Sequence, residues 1–374
     1  ALRSMIEGNT VLVTVAAGSI GSEICRQVLR FQPSRLLLID HSENGLYDLE
    51  RELIVKRGST QIIPKVASIT DAPRLRSIFR SHRPQLVFHA AAHKHVPMME
   101  KNPGEAVKNN VFGTRTLVDV AIQARVEAFV MVSTDKAVRP TSVMGACKRL
   151  AEMYVQALQK STDSRLVTVR FGNVMGSNGS VIPLFKEQIR NGGPVTVTDP
   201  EVTRYFMTIP EAAQLVLQAA ALGRGGEIFV LDMGVPIKIV DLARDLIRLS
   251  GLEEGKDIDI KFTGLRPGEK LREELYDDKE KNLPTPHPKI FVASPRLFDL
   301  EWLRAAHSRL ATVVNGGRTE ILDVLSDCVP EYLGQRGETN VVLAGLASPS
   351  LQPPSWDSPF NPPPNGPDFG VPTS

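Results

Sequence analysis

VLVTVAAGSIGSEICRQVL, residues Val11 to Leu29, decides how the rest of the chain is read. A short aliphatic run, a turn of small residues and an amphipathic stretch follow one another, the strand, turn and helix that a dinucleotide fingerprint needs. Amides at such a helix N-terminus, with its dipole, hold a pyrophosphate. Gly18 would allow the close approach and Gly21 the close helix packing, with Ser19 and Ile20 between them. Asp40 falls about 20 residues beyond the turn, where a carboxylate takes an adenosine ribose hydroxyl and repels a 2'-phosphate. NAD is therefore favoured; NADP is the alternative, because a protonated His41 would tolerate a phosphate. The first glycine of the Thr-Gly-x-x-Gly-x-x-Gly pattern is replaced by Val15. If the turn needs a positive φ there, a β-branched residue costs about 1–3 kcal/mol, and cofactor affinity would fall roughly ten- to a hundred-fold. The plain alternative is a buried strand followed by an ordinary loop and helix.

Outward from this stretch, short β-branched runs alternate with amphipathic ones. The expected strands are Thr10 to Val15, Arg35 to Asp40, Gln61 to Val66, Gln85 to His89, Ala128 to Ser133 and Leu166 to Phe171. The clearest expected helices are Gly21 to Phe31, Ala72 to Ser81, Gly104 to Ala124 and Val143 to Lys160. This rhythm argues for an α/β fold, a Rossmann-type doubly wound parallel sheet with a smaller C-terminal substrate-binding region. Residues 1–173 would form the dinucleotide-binding domain with the catalytic residues. Residues 174–337 would bind the nucleotide sugar through interleaved elements, including a helix near Ile182 to Arg190. Residues 338–374, rich in Pro, Ser and Asn, read as a disordered tail.

Bulk properties exclude more than they assign. The 44 basic and 42 acidic residues of the 374 leave a formal charge of +2, so neither nucleic acid nor a membrane surface is indicated. Cys25, Cys147 and Cys328 are far apart and form no Cys-x-x-Cys, which points to a reducing compartment, the cytoplasm, and to no structural zinc. No run approaches the ~18 apolar residues of a membrane span.

A second stretch carries the chemistry. STDKAVRPTSVMGACKR, Ser133 to Arg149, stands where short-chain dehydrogenases read Tyr-x-x-x-Lys, and here that motif is Met144-x-x-x-Lys148. A thioether moves no proton. Further motifs follow in order: LIDHSE, FHAAAHKHVPMME, NNVFGTRTL, RFGNVMGSNGSVIPLF, VTDPEVTRYFMTIPEA and LRPGEK. Together with GSIGSE they span about Asn9 to Asp277. The chain thereby resembles the extended short-chain dehydrogenase/reductases, and within them the bacterial UDP-N-acetylglucosamine 4,6-dehydratases of capsule and O-antigen biosynthesis. Large members of that family carry Met in place of Tyr, whereas Val15 and Cys147 are departures. A membrane region often precedes the catalytic part in such proteins, so the resemblance implies the cytoplasmic portion of a protein tethered to the inner membrane.

The reaction the resemblance implies oxidises the sugar at C4 with NAD, removes water across C5 and C6, and returns the hydride to C6. A ketone at C4 makes the C5 proton acidic, so elimination needs a base at C5 and an acid at the C6 hydroxyl. Asp135 is assigned as the acid and Lys136 as the base. Lys136 would then have to be neutral part of the time, through burial or through a neighbouring cation such as Lys148. Lys148 would bind the nicotinamide ribose. The acceptor of the C4 hydroxyl proton is Thr134, acting through a relay, or Asp135. The same resemblance places Ser42, Ser68, Ile69, Ala90, Ala91, Ala92 and Asn110 at the cofactor, Asn110 at the helix position that braces the catalytic loop, a plain helix asparagine being the alternative.

For the substrate, Lys94 and Glu100 would face the sugar. Asn173, Ser180, Val181 and Met207 would line its nucleotide, Arg204 and Arg266 would neutralise phosphates, and Glu269 would take a ribose hydroxyl. His89, His93 and His95 lack a ligand spacing and are not read as a metal site. The resemblance also implies that the helices from Gly104 and Val143 pair across a two-fold axis as in related proteins, giving a homodimer or larger. Two competing readings remain: a UDP-sugar 4-epimerase, which depends on the missing tyrosine, and a non-catalytic nucleotide-sugar-binding scaffold, suggested by Val15.

Overall fold

Strand β1 (Thr10–Thr14) is buried at every position, as befits a strand with parallel neighbours on both edges and helices on both faces. In the computed structural model, which describes residues 1–277, 282–293 and 298–332, β1 pairs in parallel with β2 (Arg35–Asp40) and with β4 (Leu86–His89). Beyond β2 lies β3 (Gln61–Val66), and beyond β4 lie β5 (Ala128–Val132) and β6 (Arg165–Arg170), all parallel. The order 3-2-1-4-5-6 reverses between β1 and β4. A ligand crevice forms at such a switch point, outside the carboxyl ends of the strands.

Residues beyond 173 extend this same sheet. Ile228–Leu231 pairs in parallel with β6, and Ile290–Ala293 and Asn282–Pro284 add an antiparallel edge. Residues 1–336 accordingly form one compact unit, with the helix Ile209–Leu222 packed on the helix Ser19–Leu29. Side chains alternate along β1: Val11 and Val13 join the core on one face, Leu12 the core on the other, the period of two that a strand imposes. A smaller third core gathers Phe185, Ile189, Val195, Val197, Ile239 and Ile247, which fits the smaller C-terminal region read from the sequence. The expected tail, 338–374, lies outside the described residues.

Three features differ from the sequence reading. First, β1 stops at Thr14 because Val15 leaves the extended region. Second, the helix expected over Gly104 to Ala124 is α-helical at Pro103–Ala106, π-helical at Val107–Gly113 and α-helical again at Thr114–Gln123. Third, the two-fold pairing expected through the Val143 helix meets a face already covered. Fifteen of the sixteen residues of Val143–Leu158 are buried within one chain, under the helices Leu300–Val313 and Arg318–Cys328. No helix among the described residues is long and apolar enough to cross a membrane.

Candidate active site

The turn after β1 begins with Val15 at φ 47°, the left-handed region that a β-branched residue enters at a cost. The Gly18 amide donates to the Val15 carbonyl at 3.0 Å. A Cβ on Gly18 would stand 2.8 Å from Val15 Cγ1, and one on Gly21 would overlap the Val15 carbonyl oxygen. The turn's own backbone therefore requires Gly21, and the Val15 side chain leaves no room for a Cβ on Gly18. Ser19 Oγ accepts from the Asn178 amide at 3.2 Å, and Ile20 packs against the core beneath.

Asp40 ends β2 and is seated by two amides, Ala17 on Oδ2 at 3.0 Å and Ser42 on Oδ1 at 2.9 Å. Oδ2 keeps an acceptor position for a ribose hydroxyl, while His41 Nδ1 stands 3.4 Å from Oδ1. Val15, Asp40, Ser68, Ile69, Ala91 and Ala92 line one cavity, and Ala90 precedes it in the loop after β4. This cradle and cavity fit a dinucleotide. Two further residues expected near the cofactor are held by protein partners. Ser42 Oγ caps the helix Glu43–Lys56 by accepting from the Gly45 amide. The buried Asn110 carboxamide accepts from His93 N at 2.8 Å and donates to His93 O at 3.0 Å, so it braces the loop after β4.

The proton-transfer groups meet past the end of β5. Thr134 Oγ1 donates to Asp135 Oδ1 at 2.8 Å, which supplies the relay that a threonine needs. Lys136 Nζ donates to the same Oδ1 at 3.0 Å and to Asn173 Oδ1 at 3.1 Å. Asp135 is wholly buried, and its Oδ2 has no hydrogen-bond partner among the described residues. Burial pulls the Lys136 ammonium toward neutrality, but the Asp135 and Glu273 carboxylates outweigh it and leave its proton affinity raised. This corrects the expectation of a lowered Lys136: without substrate the lysine is a cation held between two acids. Met144 is buried one helical turn before Lys148.

Lys148 carries the depression instead. Burial, opposed by Glu152, pushes it down to about 8, and its Nζ donates to the Val132 carbonyl at 2.8 Å. Because the folded value lies below the ordinary one, the unfolded chain binds more protons above about pH 8, and stability rises with pH from there toward the ordinary lysine value. Lys148→Met is expected to raise the melting temperature at pH 7 by about 2–4 °C while weakening NAD binding. Melting curves and calorimetry check this; a lower melting temperature would show that the Val132 bond outweighs the burial cost.

His89 is a strut. Its Nδ1 pairs with Thr14 Oγ1 at 3.0 Å and its Nε2 with Thr114 Oγ1 at 2.9 Å. Burial, helped by Lys148, pushes it down to about 3.

On the substrate side the structure brings together only part of the expected set. Lys94 Nζ reaches Ser177 Oγ at 3.3 Å, with its proton affinity lowered by burial and by Lys136. Ser180 and Val181 open the helix Val181–Arg190, and Ser180 Oγ is buried without a partner among the described residues. Arg266 is exposed at 55% of its side chain, so it can swing to a phosphate from its 3.3 Å contact with Glu269. Four residues are placed differently. Glu100 does not face a sugar: Oε1 accepts from the Val143 amide at 2.7 Å and Oε2 from Arg318 at 3.2 Å. Arg204 is buried and held by Glu269 at 3.2 Å and by the Thr203 and Leu271 carbonyls, a strut rather than a free cation. Glu269 is taken up by Arg204 and Arg266. Met207 is buried in the core next to the Asn173–Val174 strand.

Sequence reasoning missed two groups. Glu152 accepts from Ser133 Oγ at 2.7 Å, Arg170 Nε at 2.8 Å and Arg149 at 3.2 Å, all buried beneath the site; burial works against its charge, but Arg170 and Arg149 push it down to about 2. Glu273 faces Lys136 at 3.8 Å. It stands beside Glu274, which pairs with Arg139, and the sequence offers no signal that one acid of the pair is buried.

A Rossmann-type sheet, a glycine-built cradle at its switch point and an aspartate–lysine pair past β5 define an extended short-chain dehydrogenase/reductase-like protein. The family described as "Polysaccharide biosynthesis protein" matches residues 11–295, and the chain belongs to it. The capsular polysaccharide biosynthesis protein CapD of Staphylococcus aureus is 55% identical over 76% of this chain and 48% of its own length. The chain thus spans about half of that relative. A UDP-glucose 4-epimerase of Rickettsia canadensis is 34% identical over 74% of this chain and 80% of its own. The inverting UDP-N-acetylglucosamine 4,6-dehydratase of Campylobacter jejuni is 28% identical over 95% of this chain and 96% of its own. Among solved structures, Pen from Bacillus thuringiensis superposes with a TM-score of 0.71 at 32% identity, covering 83% of this chain and 99% of that one.

Proposed function

We propose that the chain is a nucleotide-sugar 4,6-dehydratase that binds NAD in the β1 cradle and acts on UDP-N-acetylglucosamine in the cytoplasm, toward a surface polysaccharide. One observation carries the reading: Thr134, Asp135 and Lys136 are joined by hydrogen bonds at the site, while Met144, in place of a phenol, moves no proton. When bound, NAD would supply the reversible oxidation at C4 that acidifies C5. Thr134 passes the C4 hydroxyl proton along its 2.8 Å bond to Asp135. Asp135 then holds the proton that the departing C6 hydroxyl needs. Lys136 takes the proton from C5 and gives it back once water has left. Arg266 and the helix start at Ser180 and Val181 suit the diphosphate.

The second reading, a UDP-sugar 4-epimerase, is favoured by the Rickettsia relative. Incubating the chain with UDP-N-acetylglucosamine and NAD, then weighing the sugar nucleotide, separates the readings. The dehydratase is expected to lose one water. An unchanged mass with inversion at C4, seen by NMR, would establish the epimerase, and an unaltered sugar would leave a binding scaffold.

A further inference from the structure

Glu273 faces the Asp135–Lys136 pair from a distant part of the chain. It is 7% exposed. Its Oε1 lies 3.8 Å from Lys136 Nζ and 3.8 Å from Arg204 Nε, just beyond hydrogen-bond reach of either. Its Oε2 is buried without a partner among the described residues. A buried carboxylate with an empty oxygen is costly, whereas the neutral acid is much less so. Charged groups face it from each neighbouring element: Lys136 and Asp135 from the turn after β5, Arg204 from the strand Thr203–Arg204, and Lys270 on its own segment. Burial raises its proton affinity; Lys136 lowers it, Asp135 adds to the rise, and the net direction is up.

Lys136 is a cation at rest, yet a base at C5 must be neutral. We propose that Glu273 accepts the proton that Lys136 must release before it acts at C5. Lys136–NH3+ and Glu273–COO− become Lys136–NH2 and Glu273–COOH: one N–H bond breaks, one O–H bond forms, and no co-reactant or net charge change is needed. Closing the 3.8 Å gap by about 1 Å brings the pair to hydrogen-bond distance. Asp135 cannot serve in this role, because it is about to hold the C4 proton destined for the C6 hydroxyl. Glu273 also lines a polar cavity with Arg139, Tyr205, Asp232, Glu274 and Tyr276, a route for its proton to exchange with solvent. The inference rests on the dehydratase reading. Glu273 touches no substrate atom in it and acts through Lys136.

The pH profile of water loss tests it. With Glu273 present, the active pair has the same proton count as the resting pair, so kcat is expected to be flat through neutral pH. In Glu273→Gln the active form has lost a proton outright. Its kcat is then expected to fall about a hundred-fold at pH 7 and to climb about tenfold per pH unit toward the wild-type rate. Glu273→Asp keeps an acceptor and should keep the flat profile at a reduced rate. A Gln variant whose profile parallels the wild type would overturn the inference while leaving the dehydratase reading intact. If the Gln variant does not fold, as judged by its melting curve, a steep profile in Glu273→Asp would overturn it equally. Wild-type protein that removes no water at any pH sinks the dehydratase reading and this inference together.

Discussion

Lys136→Ala is expected to lower the rate of water loss by about 10²- to 10⁴-fold, the range a positioned general base contributes, while NAD binds with unchanged affinity. The two effects separate because the groups sit on different elements. Lys136 bonds Asp135 and Asn173 past β5, whereas the cradle is built from the turn after β1 and from Asp40. Asp135→Asn should behave alike, since an amide neither receives the Thr134 proton nor delivers one to C6. Mass spectrometry of the sugar nucleotide and calorimetry with NAD give both readouts. Normal turnover by either variant would remove the assignment. The alanine also leaves the buried Asp135 carboxylate with Thr134 as its one remaining side-chain partner among the described residues, so a stability loss of about 1–3 kcal/mol should accompany it.

Val15→Gly is expected to act in the opposite sense, tightening NAD binding by about ten- to a hundred-fold. At φ 47° the valine carries a strain that glycine does not. Its Cγ1 also crowds the approach to Gly18, where a dinucleotide phosphate comes closest to the backbone. The gain in overall stability should be smaller than the gain in affinity, because glycine has more unfolded freedom to lose. Unchanged affinity by calorimetry would mean that the turn already holds the cofactor as well as a glycine turn does.

The first six strands were legible within a residue or so of their ends; the central ones are buried on both faces and read as continuous aliphatic runs, whereas β3 is buried at Ile62 alone. Leu36 to Ile39 is such a run. Beyond residue 173 several strands have only two or three residues, such as Thr203–Arg204, too short for any period to show, and Ile228–Leu231 and Ile290–Ala293 have four. The helix Glu43–Lys56 had its signal in Ser42 followed by Leu46, Leu49 and Leu53, a cap and an inward stripe. The π-helical Val107–Gly113 had none, because its composition does not set it apart from an α-helical stretch. The chemistry divided in the same way. Asp135 and Lys136 were visible as neighbours, but burial of Lys136 and the second carboxylate beside it, Glu273, come only with folding. Glu100 looked like a sugar ligand because nothing local announces that it will cap another helix.

That cap bears on how the protein can be divided. Arg318 grips the Glu100 carboxylate and its backbone carbonyl, and Glu100 in turn holds the first amide of the helix that carries Met144 and Lys148. The family match ends at residue 295, and the keystone of the reactive helix stands past that limit. The stretch that the family match covers is therefore shorter than the stretch that must be transplanted. A chimera joined at residue 295 would carry every reacting group and still lack the piece that locks their helix in place.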